Sequence, residues 1–188
     1  MNRARISVIA LIVGAAAAIY AASTRPAYTQ PKPDLVVLIA VDQFSAALFD
    51  QWRGRFKFGL KRFMDEGIVY SSAYQSHGLT ETCAGHSTML TGKHPRGTGI
   101  VANEWFDTKI GDQVYCVEAP AFSSASNPKR HIGPTNLLAT TLGDWMKDQQ
   151  PMSRVVAVSG KDRASITMAG HRGDGVFWYE DKIGRAHV

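Results

Sequence analysis

Short apolar runs alternate along the chain with segments in which apolar residues recur at helical spacing. The first run, residues 35–41, is continuously apolar and rich in β-branched residues, which predicts a central strand of a parallel sheet. Further strands are predicted at residues 68–74, 154–159 and 176–179, with a hairpin around residues 114–117. Helices are predicted at residues 45–65, 87–91, 136–149 and 164–169, the first ending at Gly67 and the second at Gly92. The alternation indicates an α/β fold, a layered and mostly parallel β-sheet flanked by helices.

The N-terminus has the pattern of a secretory signal. Residues 1–5 are basic, residues 6–22 form an uninterrupted apolar run, and small residues occupy positions 21–23. We therefore expect a signal peptide at residues 1–23, an exported chain, and no stable membrane association after cleavage. A retained anchor is the alternative, because the apolar run approaches the length that spans a bilayer. Residues 24–33 contain three prolines and predict a linker.

Composition and charge narrow the classes of function. With 188 residues, 45% of them apolar and 20% charged, the chain has room for one domain with a sizeable core. The net charge of +5 is spread over scattered Lys and Arg residues, so we expect no nucleic-acid partner. Cys83 and Cys116 are a candidate disulfide in an exported protein, and two unpaired buried thiols are the alternative.

Polar residues follow three of the predicted strands. Asp42 comes directly after the first strand, and Thr82 lies in the loop after the second. Lys161 and Arg163 follow the strand at residues 154–159. The carboxyl ends of parallel strands meet at one edge of a sheet, where ligands gather, so we expect these side chains to lie close together. The structural alternatives are helix caps for the first two residues and a solvated turn for the basic pair.

Several of these residues fit one motif. Thr82-Cys83-Ala84-Gly85-His86 has the form Thr-x-x-Gly-His, Asn103 follows Thr82 by 21 positions, and Lys161-Asp162-Arg163 is a Lys-x-Arg pair. Together with Val41-Asp42, the pattern resembles the alkaline phosphatase superfamily, in particular its single-domain, phosphate-irrepressible type from the periplasm of Gram-negative bacteria. The resemblance extends over about residues 33–179. It implies that residues 34–182 are the N-terminal part of an alkaline-phosphatase-like catalytic domain in a periplasmic or secreted enzyme.

The resemblance implies a role for each matched residue. Thr82 would be the nucleophile that forms a phosphothreonine. Asp42 and Thr82 would be ligands of Zn²⁺, of which a complete enzyme holds two. Asn103, Lys161 and Arg163 would contact the non-bridging oxygens of a small-molecule phosphate monoester.

The implied chemistry is coherent on physical grounds. A threonine hydroxyl is nearly inert at neutral pH, but Zn²⁺ can hold it as an alkoxide, and a second Zn²⁺ about 4 Å away can stabilise the leaving oxygen. Phosphoryl transfer places charge on the equatorial oxygens, which an amide and two cations can contact. Two cations favour a monoester dianion over a diester. His86 is expected to pack or hydrogen-bond beneath the loop.

Two other functions share these residues. A phosphodiesterase or nucleotide pyrophosphatase on the same fold keeps the Thr and the Asn but resembles this chain less around Lys161. A non-catalytic exported domain would bind phosphate without a covalent intermediate. A sulfatase is disfavoured, because residues 83–87 lack the Pro and Arg that accompany formylglycine.

The chain departs from the family in its ligands and in its length. Two zinc ions need about seven ligands, but only Asp42 and Thr82 can be assigned, because the other histidines lack the Asp-x-x-x-His or Asp-His pattern. The family is more than twice as long, so we expect a fragment that is inactive by itself. Residues 183–188 match the translation of a sequencing-library adapter, which predicts a non-native tail.

Overall fold

A computed structural model describes residues 32–180 and the backbone of residues 186 and 187. The chain divides into two compact units, Met1–Ile39 and Ala40–Val188. The described residues of the first unit, 32–39, form neither helix nor strand. All helices and strands of the described residues belong to the second unit.

The second unit contains short helices and short strands. Its helices are α1 (Ala46–Trp52), α2 (Phe58–Glu66), α3 (Thr82–Thr91), α4 (Pro95–Thr98), α5 (Leu142–Gln149) and α6 (Asp162–Ala169). Turns of 3₁₀ helix follow α1 at Arg53–Arg55 and α6 at Gly170–Arg172. The strands are β1 (Glu104–Asp107), β2 (Asp112–Tyr115), β3 (Val156–Ser159), β4 (Gly175–Trp178) and β5 (Ala186–His187).

These strands form two small sheets. β1 and β2 are an antiparallel hairpin in which Trp105 lies opposite Val114. In the second sheet β4 lies between β3, to which it is parallel, and β5, to which it is antiparallel. α6 connects β3 to β4, which is the βαβ arrangement that the alternating sequence pattern predicts. The two late strands are therefore confirmed, with ends shifted by a few residues. The hairpin predicted around residues 114–117 is confirmed only in part, because β2 overlaps that segment whereas β1 lies before it.

One hydrophobic cluster connects the hairpin region with α3 and α6. Its buried members are Cys83, Ile100, Cys116, Val117, Ile132, Leu137, Ile166 and Trp178. Trp105 and Tyr115 pack against this cluster from the hairpin. α3 also packs directly against α6, so the helix that begins at Thr82 and the helix that follows Lys161 are neighbours.

The prediction of a central strand at residues 35–41 is wrong. These residues form no strand, and the side chains of Leu35, Val37 and Ile39 are 66–77% exposed. Residues 68–74, the second predicted strand, are also exposed and outside any sheet. A continuous apolar run predicts burial, but a strand also needs a neighbouring backbone to bond its N–H and C=O groups. The described residues supply no such neighbour at either place.

The predicted ends of two helices are confirmed. α2 ends at Gly67 and α3 ends at Gly92, which has a φ of 64°, the left-handed conformation that favours glycine. The predicted helix at residues 45–65 is two helices, because a 3₁₀ turn at Arg53–Arg55 interrupts it.

The helix predicted to begin at residue 136 begins later, at Leu142. Thr141 and Asp144 form a capping box there: the Thr141 hydroxyl accepts from the Asp144 N–H, at 3.4 Å, and the Asp144 carboxylate accepts from the Thr141 N–H, at 2.8 Å. This reciprocal pair satisfies backbone donors at the first turn, and it fixes the start of the helix.

Both predicted terminal segments lie largely outside the described residues. The predicted signal peptide, residues 1–23, and most of the linker at 24–33 cannot be compared with the structure. Of the predicted tail at 183–188, only the backbone of residues 186 and 187 is described, and it pairs with β4. Between residues 32 and 180 no helix has both the length and the apolar character needed to cross a bilayer.

Candidate active site

Asp42 is the centre of a three-residue cluster. Its Oδ2 accepts a hydrogen bond from the Thr82 hydroxyl, at 3.1 Å, and another from the Lys161 ammonium group, at 3.3 Å. Asp42 lies in the turn before α1, Thr82 is the first residue of α3, and Lys161 precedes α6. Side chains separated by up to 119 positions therefore meet at one carboxylate oxygen.

Neither the Asp42 carboxylate nor the Thr82 hydroxyl serves as a helix cap. Glu81 occupies the N-cap position of α3, and the Thr82 hydroxyl donates to Asp42 instead. α1 is capped by Ser45, whose hydroxyl accepts from a backbone N–H of the first turn. The capping alternatives for Asp42 and Thr82 are therefore wrong. Thr82 is only 7% exposed, whereas the side chains of Asp42 and Lys161 are 40% and 48% exposed, so the buried hydroxyl adjoins an accessible ion pair.

Opposing effects set the pKa of Asp42. Partial burial raises the pKa, but hydrogen bonds from Lys161 and Thr82 and the positive charge of Lys161 together hold it below its usual value of 3.8. The carboxylate is therefore ionised at neutral pH. His86 is buried beneath this cluster, with its Nδ1 2.7 Å from the Thr82 carbonyl oxygen, as expected for a supporting residue.

Asn103 is anchored through its backbone and its side-chain oxygen. The Asn103 Oδ1 accepts from the Cys83 N–H, at 3.0 Å, and the Asn103 N–H donates to Glu81 Oε2, at 2.6 Å. Its carbonyl oxygen accepts from the Cys116 N–H, at 2.9 Å. Because Oδ1 faces a donor, the NH₂ group points away from the Cys83 N–H. This anchoring places the amide beside the residue that follows Thr82.

Cys83 and Cys116 form the expected disulfide. Their Cα atoms are 6.5 Å apart, and both residues are buried. Cys83 directly follows Thr82, and Cys116 directly follows Tyr115 at the end of β2. The bond therefore ties the first turn of α3 covalently to the end of the hairpin.

Arg163 is connected with Asp42 and Thr82 only through other residues. Within the described residues it forms no hydrogen bond with Asp42 or Thr82; its Nη1 donates to the Tyr115 hydroxyl, at 3.4 Å. Its backbone N–H donates to Asp162 Oδ1, at 2.6 Å. Tyr115 in turn adjoins the disulfide that leads to the start of α3.

Three residues that support the site were missed by sequence reasoning. Glu81 holds the backbone of Asn103, and Asp162 and Tyr115 contact Arg163. Asp162 could have been suspected, because an acidic residue between two cations at a helix start has nearby charges to pair with. Tyr115 gives no such signal, since its contact with Arg163 joins residues 48 positions apart.

The expected metal ligands are compatible with a divalent cation. The Asp42 carboxylate and the Thr82 hydroxyl present oxygen atoms 3.1 Å apart, close enough for both to face one ion. Across residues 32–180, no group of three or more His, Cys, Asp and Glu side chains is arranged to hold a metal. Two oxygen donors are fewer than the four ligands of a typical zinc site.

Sequence comparison identifies the family and several relatives. The sequence model for the family described as type I phosphodiesterase / nucleotide pyrophosphatase matches residues 36–186. Alkaline phosphatase PhoK of Sphingomonas sp is 50% identical over 149 residues, which cover 78% of this chain and 27% of that protein. Alkaline phosphatase PhoD of Zymomonas mobilis is 41% identical over an alignment of 193 positions, gaps included, and the match covers 92% of this chain and 33% of that protein.

Structure comparison gives the same result. The crystal structure of wild-type alkaline phosphatase PafA matches with a TM-score of 0.79 and 32% identity, covering 84% of this chain and 31% of that chain. A quadruple mutant of PafA matches with the same TM-score and 30% identity. The predicted alkaline-phosphatase-like α/β fold is therefore confirmed.

The chain spans about a third of the length of the relatives that it matches. The family match nevertheless covers most of this chain, from the exposed apolar run to the first residue of β5. The predicted resemblance to alkaline phosphatases is confirmed by both comparisons. The chain thus belongs to the type I phosphodiesterase / nucleotide pyrophosphatase family.

Proposed function

We propose that this chain is the nucleophile-bearing part of a zinc-dependent phosphomonoesterase in which Thr82 forms a phosphothreonine. The observation that carries the proposal is the pair of hydrogen bonds from Thr82 and Lys161 to one oxygen of Asp42. It brings a hydroxyl, a carboxylate and a cation together at one oxygen atom, which supports a site for a single phosphate group. Curated relatives named alkaline phosphatases support this class of reaction.

The proposed reaction consists of two displacements at phosphorus. The Thr82 oxygen attacks, the bond from phosphorus to the alcohol oxygen breaks, and the alcohol leaves with a proton. Water then attacks the phosphothreonine, which releases inorganic phosphate and restores the hydroxyl. Asp42 accepts the hydrogen bond of that hydroxyl and so orients its oxygen. The lowered pKa of Asp42 makes it a weak base, so orientation is its main contribution.

Zinc would supply the activation that a weak base cannot. Asp42 and Thr82 would hold the ion, and Zn²⁺ bound there would lower the pKa of the hydroxyl. Support for this assignment comes from the donor set itself, a carboxylate in the turn before α1 and a hydroxyl at the start of α3 whose oxygens are 3.1 Å apart.

Asn103, Lys161 and Arg163 are proposed to contact the phosphate oxygens. The Asn103 amide is oriented with its NH₂ group directed away from Cys83. The PafA quadruple mutant supports the set, because it carries substitutions at a Thr, at an Asn 21 positions later, and at a Lys and an Arg separated by one residue. The same residue types occur here, with the same spacing from Thr to Asn and the same spacing from Lys to Arg.

The two cations favour a monoester as substrate. A monoester dianion carries one more negative charge than a diester, and that charge lies on oxygens that a guanidinium and an ammonium can contact. The family description, which names phosphodiesterase and nucleotide pyrophosphatase activities, supports a diester hydrolase as the second candidate.

We propose a periplasmic or secreted location. A buried disulfide beside the active site persists in an oxidising compartment and is rare in the cytosol. The signal pattern at residues 1–23 is consistent with export.

A chimera tests the proposed function. The part of PhoK that matches this chain, at 50% identity, is exchanged for its counterpart here. We expect the zinc-loaded chimera to hydrolyse p-nitrophenyl phosphate faster than bis(p-nitrophenyl) phosphate or p-nitrophenyl sulfate. Thr82→Ala should lower kcat by at least about 10³-fold, whereas Thr80→Ala, at an exposed threonine two positions earlier, should leave kcat nearly unchanged.

Two results would decide against parts of the proposal. A folded, zinc-loaded chimera that keeps its kcat after Thr82→Ala would exclude the phosphothreonine mechanism. Faster turnover of the diester than of the monoester would select the second candidate function.

A further inference from the structure

We propose that Tyr115 is a positioning residue that orients the Arg163 guanidinium for an oxyanion, and that Asp162 holds Tyr115 in place. The inference rests on the proposed function only in identifying the oxyanion as phosphate. It adds a residue from the hairpin to a site whose other members lie at helix starts and in loops.

The Tyr115 hydroxyl lies between a donor and an acceptor. It donates to Asp162 Oδ1, at 2.8 Å, and accepts from Arg163 Nη1, at 3.4 Å. Burial raises the pKa of Tyr115, the Arg163 hydrogen bond lowers it, and Asp162 raises it, with a net upward shift. The phenol therefore stays protonated at neutral pH and bridges the carboxylate to the guanidinium.

Asp162 is a fixed anchor. Its side chain is 5% exposed, and besides Tyr115 its carboxylate accepts the Arg163 N–H, at 2.6 Å, and a hydrogen bond from Arg130. Arg130 is itself held by Glu180, at 2.8 Å. Because the carboxylate is paired on both oxygens, it cannot turn to bind the guanidinium of Arg163 without giving up these contacts.

These contacts engage only part of the Arg163 guanidinium. Nη1 is held by Tyr115, and Nε is buried without a hydrogen-bond partner among the described residues. Nε and Nη2 form the second edge of the planar group, and two parallel N–H donors match two oxygens of a phosphate. A buried donor without a partner is unfavourable unless a ligand meets it.

Tyr115 also links this guanidinium to the nucleophile. The residue after Tyr115 is bonded through the disulfide to the residue after Thr82. Asn136 Nδ2 donates to the carbonyl oxygens of Tyr115 and Cys116, at 3.2 and 3.4 Å, and so fixes the backbone at the same place. The long Arg163 side chain is thereby held by a tyrosine whose backbone is tied to α3.

Tyr115→Phe in the 188-residue chain tests this role, because it removes the hydroxyl and keeps the ring. We expect separate, slowly exchanging ¹⁵N signals for the Arg163 guanidinium in the unsubstituted chain and averaged signals in the variant. The affinity for inorganic phosphate should fall by about 2- to 13-fold, the range for one hydrogen bond. Tyr74→Phe, at a side chain that is 86% exposed, is the matched control and should change neither quantity.

A double substitution separates positioning from a general structural effect. In an Arg163→Ala background, Tyr115→Phe should cause no further loss of phosphate affinity. Asp162→Asn provides a second route, since it weakens the acceptor for the Tyr115 hydroxyl and should also average the Arg163 signals.

The outcomes distinguish this inference from the proposed function. If the unsubstituted chain binds no phosphate but Tyr115→Phe averages the Arg163 signals, phosphate as the ligand is rejected and the positioning role stands. If phosphate binds and the Arg163 signals are unaffected by both Tyr115→Phe and Asp162→Asn, the positioning role is rejected.

Discussion

Reduction of the disulfide between Cys83 and Cys116 is expected to lower the free energy of unfolding by about 3.7 kcal/mol. The bond joins residues separated by 33 positions, and the chain-entropy model gives this value for a loop of that size. Both sulfur atoms lie in the buried cluster, and the reduced chain keeps them. The difference between the two states therefore reports mainly the cross-link and little change in packing.

Equilibrium urea unfolding with and without a phosphine reductant measures this difference. Tryptophan fluorescence is a suitable probe, because Trp178 is buried in the same cluster and Trp105 packs against it. A variant with Cys83→Ala and Cys116→Ala is the control, and its unfolding should not respond to the reductant. A change below about 1 kcal/mol on reduction would refute the reasoning, because it would mean that the bond constrains the unfolded chain far less than its loop length requires.

Three further predictions concern a glycine, a pKa and an amide. Gly170→Ala should lower the free energy of unfolding by at least about 2 kcal/mol, because Gly170 has a φ of 73° and the added Cβ would lie 2.3 Å from a buried hydroxyl oxygen. Gly92→Ala is the comparison: Gly92 has a φ of 64°, but the added Cβ would lie in open space. This second variant should lower the free energy of unfolding by only about 1 kcal/mol in the same urea assay. Lys161→Met should raise the pKa of Asp42, measured by carboxyl ¹³C NMR. Because the folded-state pKa of Asp42 is depressed, its contribution to stability is present above the unfolded value of 3.8 and lost as pH falls through the lower value. In the variant this contribution should be smaller, and its loss should be complete at a higher pH. Asn103→Asp keeps the acceptor for the neighbouring N–H but replaces the NH₂ donor with negative charge, so titration with inorganic phosphate should show at least about tenfold weaker binding with the fold intact.

Local sequence signals predicted local structure well. Glycines at positions 67 and 92 mark the ends of α2 and α3, because a residue without a side chain is favoured where a helix stops. The β-branched run at residues 154–159 became β3, and the helix after it became α6. In each case the determining interaction lies within a few residues of the signal, so a single sequence is sufficient to detect it.

Interactions between distant residues were predicted less well. The apolar run at residues 35–41 indicates burial, but nothing within the run indicates which backbone it should pair with, and the described residues leave it exposed. Asp42, directly after this run, was singled out for its position at the end of a strand that the structure does not contain. It nevertheless contacts Thr82 and Lys161, because those contacts depend on where α3 and α6 begin.

The residues that support the site were harder still to predict from the sequence. A family motif draws attention to Lys161 and Arg163 and treats the residue between them as variable. The structure shows that this residue, Asp162, is buried and bonded to Tyr115 and Arg130. Its partners are 32 and 47 positions away, so neither spacing nor periodicity could have identified them.

The most direct test of the account is the chemical identity of the phosphorylated residue. The zinc-loaded chimera is mixed with p-nitrophenyl phosphate, quenched in acid during turnover, digested and mapped by mass spectrometry. We predict phosphate on the peptide that contains Thr82, and its loss in Thr82→Ala. Turnover with phosphate on a different residue, or with no phosphorylated peptide at all, would contradict the claim that the hydroxyl held by Asp42 is the nucleophile.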